Sequence, residues 1–514
     1  MSDNKKIAKN TIFLYIRMIV IMGVTLYTSR VVLDKLGVTD YGLYNAVGGV
    51  VGLLTFLNNT LATGTSRFIT FSLGRNDNKE LLATFSTAFY THLLLCVILI
   101  IILETVGLWF FFNKLIIPPD RMIAAKWVYQ ISLLTMAVSI IQVPFTSLVI
   151  AHEDMNLYAY LGIIEVVCKL GVVYLLTITV FDKMITYAWL LFVVQLTILL
   201  FFYFICRKKY PNVRLKWMFS QEIFKRMIGF SGWSILANLS ETLKTQGSNV
   251  LINMFFKPAF VAAQAISNQV TTALMNFIYQ VSTAINPQII KSYAVGDYEG
   301  SKKLTLQSTV LIFDLVLLIC LPLIYCIEPI LNLWLVEVPE GTVVFLRLSL
   351  ISQIVGVFSC TLYIPMVAAA KLKSNSIWAL IVGIGQFVAA YILYSLGAGL
   401  YTLPFILLCS TILFSLFIKP FILINEIGYN IKELSRCYFQ CAKVAIPAVL
   451  FSYLVYYFIS PSTYLQYIIT LIMTVFVVII CSVLFLEKPV RRSLITLVRS
   501  KIKSRVPQFN IHQE

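Results

Sequence analysis

Charge is what this sequence has least of. Of 514 residues, 12% are charged and 59% hydrophobic, where a soluble globular chain carries nearer a quarter charged. A water-soluble domain is thereby excluded. Acids are scarcer than bases, 23 against 40, and histidine occurs three times. No Walker element, GxSxG elbow or HExxH occurs, and no polar stretch is long enough to hold a catalytic domain, so no enzyme is expected. There is no CxxC either. Of the ten cysteines, Cys96, Cys168, Cys320, Cys360, Cys409 and Cys481 fall in apolar segments and read as small core hydrophobes. His152, Glu153 and Asp154 are consecutive and cannot readily converge on one ion, and His92 has no evident partner, so neither a metal nor a cofactor is expected. No cleavable leader is expected: Lys5, Lys6 and Lys9 precede a long apolar run, interrupted by Arg17, that reads as a signal anchor.

What is present is a train of apolar segments about 20 residues long, the length a helix needs to span ~30 Å of hydrocarbon. Spans are expected near 11–33, 41–63, 82–112, 122–150, 157–180 and 184–206, then 227–255, 259–284, 304–327, 341–369, 375–396, 401–425, 437–459 and 463–486. The fold class is all-α and polytopic, with about 14 transmembrane helices. Between the sixth and seventh lies the most basic run of the chain's middle, RKKYPNVRLKWMFSQEIFKR, from Arg207 to Arg226.

That run sets the orientation, because short loops rich in Lys and Arg stay in the cytoplasm. With both termini inside, 28 of the 40 basic residues lie on the cytoplasmic side, including Arg75, Lys79, Lys302, Lys303, Lys419, Arg436 and the tail beyond Glu487. Six, among them Lys35 and Arg121, lie outside, and six remain within spans. A net charge of +17 would suggest nucleic acid in a soluble protein; here it marks membrane borders, and no nucleic-acid partner is expected. The tail needs only this topological role, although anionic lipid headgroups would suit it.

A weak internal repeat joins the halves. Gly74, Trp109, Pro144 and Gly162 recur at nearly constant spacing as Gly296, Trp334, Pro365 and Gly383. Two six-helix bundles of like topology follow, at 1–206 and 227–425, joined by a basic cytoplasmic linker at 207–226. Two extra helices at 426–487 and a basic cytoplasmic tail at 488–514 complete the division. Because six is even, the repeat is parallel, and substrate sites in such proteins lie between the halves.

Several stretches carry a family likeness. RVVLDKLGVTDYGLYNAV (Arg30 to Val47), the loops SLGRND and YAVGDYEGSKK, and AHEDMN after Pro144 resemble polysaccharide flippases of the Wzx type. Their superfamily also holds the lipid II flippase and the multidrug and toxin extrusion exporters. The resemblance spans nearly the whole chain. It implies a V-shaped pair of bundles that alternates between inward-open and outward-open states. The cargo would be an undecaprenyl-pyrophosphate-linked oligosaccharide, moved from the inner to the outer leaflet of a bacterial cytoplasmic membrane for lipopolysaccharide, capsule or exopolysaccharide. Membrane lipids and other polysaccharide assembly proteins are the expected partners of a monomer. A multidrug or cation antiporter of the same fold is the alternative, ahead of a membrane polysaccharide polymerase, for which the outer connections are short.

The residues themselves suggest an anion site. A charge at a helix centre costs about 2.5 to 3.5 kcal/mol even on the mildest scale, so such residues face a watery cavity or a partner. The intramembrane bases are Arg17, Arg30, Arg67, Lys169, Lys244 and Arg347. Arg17, mid-helix without a local acid, and Lys244, in the polar run SETLKTQGSN, would line a cleft. Arg30, Gln246, Asn238 and Arg347 complete the candidate pyrophosphate set, since Arg grips phosphate through paired hydrogen bonds. Each has a bland reading: Arg30 could pair with Asp34, Lys169 with Glu165 one turn earlier, and Arg67 could mark a cytoplasmic helix end. Asp40, Glu165, Lys169 and Asp314 are candidates for coupling or gating. The resemblance gives Asp40 a functional acid's place, whereas its position before Tyr41 also suits an N-cap. An antiporter would draw instead on the acids Glu104, Glu165, Asp314 and Glu328. For a dianion leaving a negative interior the membrane potential supplies about 4 to 5 kcal/mol per 100 mV, so export is expected to need the potential and no obligatory proton or sodium antiport.

Overall fold

The computed structural model describes residues 2–485 apart from 76, 212 and 214, and backbone alone at 2–17, 59, 63, 229–234, 237, 280, 283 and 284. The basic tail and the Arg17 side chain lie outside the described residues. Of the described residues 88% are helical and none is in a strand. Among the described residues ten helices are long and apolar enough to cross a membrane, or 11 if one bent pair counts as a span. This is a multi-pass membrane protein. The expected 14 spans exceed that number: three fall on α1 (Ser2–Leu36), α8 (221–255) and α9 (Pro258–Ala294), which are helical but are not among those ten. The bent pair is α2 (Val38–Gly52) and α3 (Thr55–Gly74), 50° apart, where one span at 41–63 was expected.

The remaining helices are α4 (Asn78–Lys114), α5 (Pro119–Ala151), α6 (Met155–Ile178), α7 (Lys183–Lys209), α10 (Tyr298–Trp334), α11 (Thr342–Ala368), α12 (Lys373–Ser395), α13 (Thr402–Ile427), α14 (Ile431–Ile459) and α15 (Tyr464–Phe485). Their starts follow from capping. Asp77 accepts from the amides of Lys79 and Glu80 at 2.8 and 3.1 Å, and Asn430 and Glu433 form a capping box.

By packing, the chain divides into two units. The first holds Met1–Asn276, Leu331–Ser349 and Leu372–Ser410; the second holds Phe277–Ile330, Leu350–Lys371 and Thr411–Glu514. In the first, α1 packs on α6, α5 on α7, and α3 on both α5 and α8. One core gathers Leu43, Val47, Leu99, Phe111, Val128, Tyr129 and Ile140; another gathers Ile69, Phe85, Phe145, Leu148, Ile198 and Phe202. Lipid is as apolar as these side chains, so close packing rather than escape from water holds such helices together. In the second unit α14 and α15 pack against each other.

Irregular turns interrupt the helices at identifiable residues. At Leu103–Gly107 α4 widens into a π-helical turn. The Tyr129 hydroxyl donates to the Leu103 carbonyl at 2.6 Å, and a Cβ on Gly107 would overlap that hydroxyl oxygen. In α10 the backbone leaves helical geometry at Cys326, where Pro329 supplies no amide and crowds the preceding turn.

The basic run between the sixth and seventh expected spans is docked onto the first unit. Tyr210 and Val213 are buried. The amides of Lys216 and Ser220 donate to Ser86 and Thr87 on α4 at 3.3 and 3.0 Å, and Trp217 packs edge-on to Tyr90. The consecutive triple at 152–154 serves this docking. The His152 ring stacks on Tyr210 at 4.0 Å, Asp154 pairs with Lys209 at 2.7 Å, and the Tyr210 hydroxyl donates to Asp154.

Burial pushes the Asp154 carboxyl up, but the hydrogen bonds from Lys209 and Tyr210 and the Lys209 charge outweigh it and hold the acid below its usual range. A depressed folded pKa gives stability that is present above the unfolded value of about 3.9 and lost as pH falls through the folded one. Hydrogen exchange at Tyr210 and Val213, corrected for intrinsic rate, should therefore stay flat from pH 8 to 5 and rise below about pH 4. In Asp154→Asn it should already be fast at pH 7, and unchanged protection in that variant would remove Asp154 as the anchor.

Candidate functional site

The first unit contains an open cavity of about 970 Å³ between α3, α5 and α6, at the end that carries the 152–154 turn. Ser66, Thr70, Ser139, Gln142, Thr146 and Ser147 give it hydroxyl and amide groups, Phe71 and Tyr158 give it rings, and Arg67 is the one charged lining residue among those described. Among the described residues no carboxylate lines it. The polar groups are ordered by their own helices: Thr70 donates to the Ser66 carbonyl at 2.8 Å, and the Gln195 amide donates to Gln142 Oε1 at 2.9 Å. Such a lining suits a polar, uncharged or anionic guest.

Among the described residues, none of those chosen from sequence as the pyrophosphate or coupling set lines that cavity. Arg67, set aside there as border decoration, does. A helical wheel could have found it, since Ser66 and Thr70 share its stretch of α3.

The other candidates lie as follows. Arg30 is exposed; Asp34 pairs with Lys35 at 2.8 Å instead of with Arg30, because adjacent side chains at an exposed helix end can reach each other. Lys244 and Gln246 sit in a second π-helical turn, Leu243–Gly247, in α8. Gln246 is pressed against α2, where a Cβ on Gly52 would meet its side chain at 3.1 Å. Asn238 donates to Thr60 Oγ1 at 2.8 Å and ties α8 to α3. These two amides are thus engaged in helix packing. Arg347 is half-buried on α11. Lys169 pairs with Glu165 at 2.6 Å on α6. The Gln130 amide donates to Glu104 at 3.3 Å. His92 is fully buried, with Nδ1 2.9 Å from the Ala88 carbonyl.

Asp40 is neither a free acid nor an N-cap: Gly37 occupies that place, and the Asp40 side chain meets Arg121. Arg121 Nε and Nη2 donate to the two Asp40 oxygens at 2.8 and 2.6 Å, and Nη1 donates to Asp182 at 2.6 Å. Asp182 in turn caps α7 through the Ile185 amide at 3.0 Å. Burial raises the Asp182 carboxyl, but the Arg121 donors and the backbone amides hold it below its usual range. Arg121, counted from sequence as a plain outer-loop charge, fastens three helix starts.

Two charged groups in the second unit also depart from expectation. Lys419, assigned to the cytoplasmic border, is 1% exposed in α13 between two π-helical turns, with its ammonium over the rings of Tyr363 and Phe414 at 5.2 and 5.4 Å. Asp314 is 7% exposed on α10, and neither carboxylate oxygen completes a hydrogen bond. Among the described residues no cluster of His, Cys, Asp and Glu could hold a metal ion.

No family model and no curated protein matches the chain. Solved structures do. Lipid II flippase MurJ in an inward closed conformation matches with TM-score 0.70 at 12% identity, over 95% of this chain and 100% of that one. An inward-facing multidrug resistance MATE family transporter of the MOP superfamily matches with TM-score 0.64 at 15% identity, over 82% and 98%. A MOP superfamily transporter from Pyrococcus furiosus, described as having a binding pocket of reverse polarity, matches with TM-score 0.55 at 15% identity, over 84% and 96%. The chain shares the fold of these transporters. That fold is found both in a lipid II flippase and in multidrug resistance transporters.

Proposed function

We propose that the protein is a flippase that moves an undecaprenyl-pyrophosphate-linked oligosaccharide from the inner to the outer leaflet of a bacterial cytoplasmic membrane by alternating access. The polymer would be lipopolysaccharide, capsule or exopolysaccharide, and both termini would lie in the cytoplasm. The observation that carries this reading is the cavity of about 970 Å³ with hydroxyl, amide and guanidinium groups and, among the described residues, no carboxylate. Its volume is at the upper end of the roughly 300 to 1,000 Å³ usual for ligand sites. Sugar hydroxyls suit the Ser, Thr and Gln side chains, and a phosphate suits Arg67. Arg17, Arg30, Lys244 and Arg347 supply further positive charge for an anionic headgroup, with Asp314, Glu165, Lys169 and Asp40 as the groups to examine for coupling. A multidrug or cation antiporter shares the fold, but a cation would need acids where this cavity has none.

Arg67→Ala should lower export at least tenfold, with protein abundance near wild type, as should Lys244→Ala. The assay is the amount of lipid-linked oligosaccharide held on the inner leaflet of a deletion strain complemented with each variant. Full export by both variants would overturn the anion reading, and proton-driven efflux of cationic dyes by the purified protein would replace it with the antiporter.

A further inference from the structure

A second, smaller cavity of about 270 Å³ lies in the second unit, between the first turns of α10 and α14. Both helices begin here, and a helix start concentrates amide donors and positive dipole. Lys302, Lys303 and Arg436 line the cavity, with Glu299 and Glu433. Both acids have other engagements: Glu299 pairs with Lys302 at 2.9 Å, and Glu433 accepts the Asn430 amide at 3.1 Å in the capping box. Lys303 is exposed, with no ion-pair partner among the described residues. At the inner end Gln440 lines the cavity, 8% exposed, and its Nε2 is buried without an acceptor. An orphaned buried amide donor costs roughly 1 to 3 kcal/mol, so its persistence beside a cationic cavity points to an acceptor that the described residues do not supply.

We propose that this cavity binds a phosphate group, with Lys303 and Arg436 at its mouth and the Gln440 amide donating from its inner end. The site is distinct from the Arg67 cavity, which lies in the other unit, and it does not depend on the cargo proposed above. A phosphate could arrive as the headgroup of an anionic phospholipid or as a free phosphate in solution. At the membrane border of a basic segment the headgroup has the advantage of local concentration.

The test is native mass spectrometry of the full chain in detergent with phosphatidylglycerol, phosphatidylcholine or inorganic phosphate. Lys303→Gln and Gln440→Leu are the variants. Lys303 is exposed, and Gln440→Leu removes a donor that already lacks an acceptor, so unchanged thermal midpoints are expected and serve as the folding control. Phosphatidylglycerol should bind at least tenfold more tightly than phosphatidylcholine, and each variant should lose at least fivefold of that affinity. Binding of inorganic phosphate with the same dependence on Lys303 and Gln440 would assign the site to a free phosphate. The proposal is overturned if wild type shows no preference for either phosphate ligand over phosphatidylcholine, or if both variants bind as wild type does.

Discussion

Gly42→Ala should cost about 3 kcal/mol or more of stability, the upper range for overpacking a close contact. Its Cβ would overlap the Pro258 carbonyl oxygen and stand 2.6 Å from the carbonyl carbon and 3.2 Å from the Ala262 nitrogen. All three are backbone atoms, so no rotamer change relieves the clash, and α2 and α9 must move apart. That movement would open the packing of Ala46 with Leu251 and Val261, each buried to 0% exposure. Gly48, on the same helix, has open space where a methyl would stand, with nothing within 4 Å. Gly48→Ala should consequently be neutral or slightly stabilising, because it removes backbone freedom without a clash. Thermal midpoints of the two variants in one detergent decide the matter; equal midpoints would mean that α2 and α9 are not in close contact in the membrane.

Arg121→Met should cost about 2 to 3 kcal/mol, between the values for exposed and fully buried ion pairs. The Arg121 side chain is 22% exposed, and those of Asp40 and Asp182 are 18% and 29% exposed. Removing the guanidinium leaves two carboxylates facing each other with little water to separate them. Arg121→Lys should recover less than half of the loss, since an ammonium cannot fork onto both acids. Adding Asp40→Asn to Arg121→Met should recover part by removing one of the repelling charges. The checks are thermal midpoints at pH 7 and a double-mutant cycle. Additive effects of Arg121→Met and Asp40→Asn would show that the pair is not coupled, against the geometry.

Much of the membrane plan was legible because it depends on composition summed over some 20 residues. The ten clearly apolar spans fall within a few residues of where hydropathy put them, and Glu165 and Lys169 form the pair that one-turn spacing allows. Polar helices such as α8 were harder to class, because Lys244, Thr245 and Gln246 interrupt the apolar run over a π-helical turn. The bend between α2 and α3 was not legible, since Leu53 and Leu54 read like any apolar pair.

The candidate site divided differently. Sequence alone determined which charges the membrane makes expensive, and so produced a short set of residues that must be explained. It could not say which of them share a wall, because that depends on contacts between segments far apart in the chain. Tertiary structure decided that Arg121 joins Asp40 to Asp182 across 81 and 61 residues of chain, and that Asn238 reaches Thr60 across 178. It also placed Arg67 in a cavity lined by α5 and α6, buried Lys419 against two rings, and left Asp314 without a completed hydrogen bond. The physical reason is that desolvation cost belongs to a residue type and can be read from it, whereas its compensation belongs to whichever neighbours the fold brings within about 3 Å.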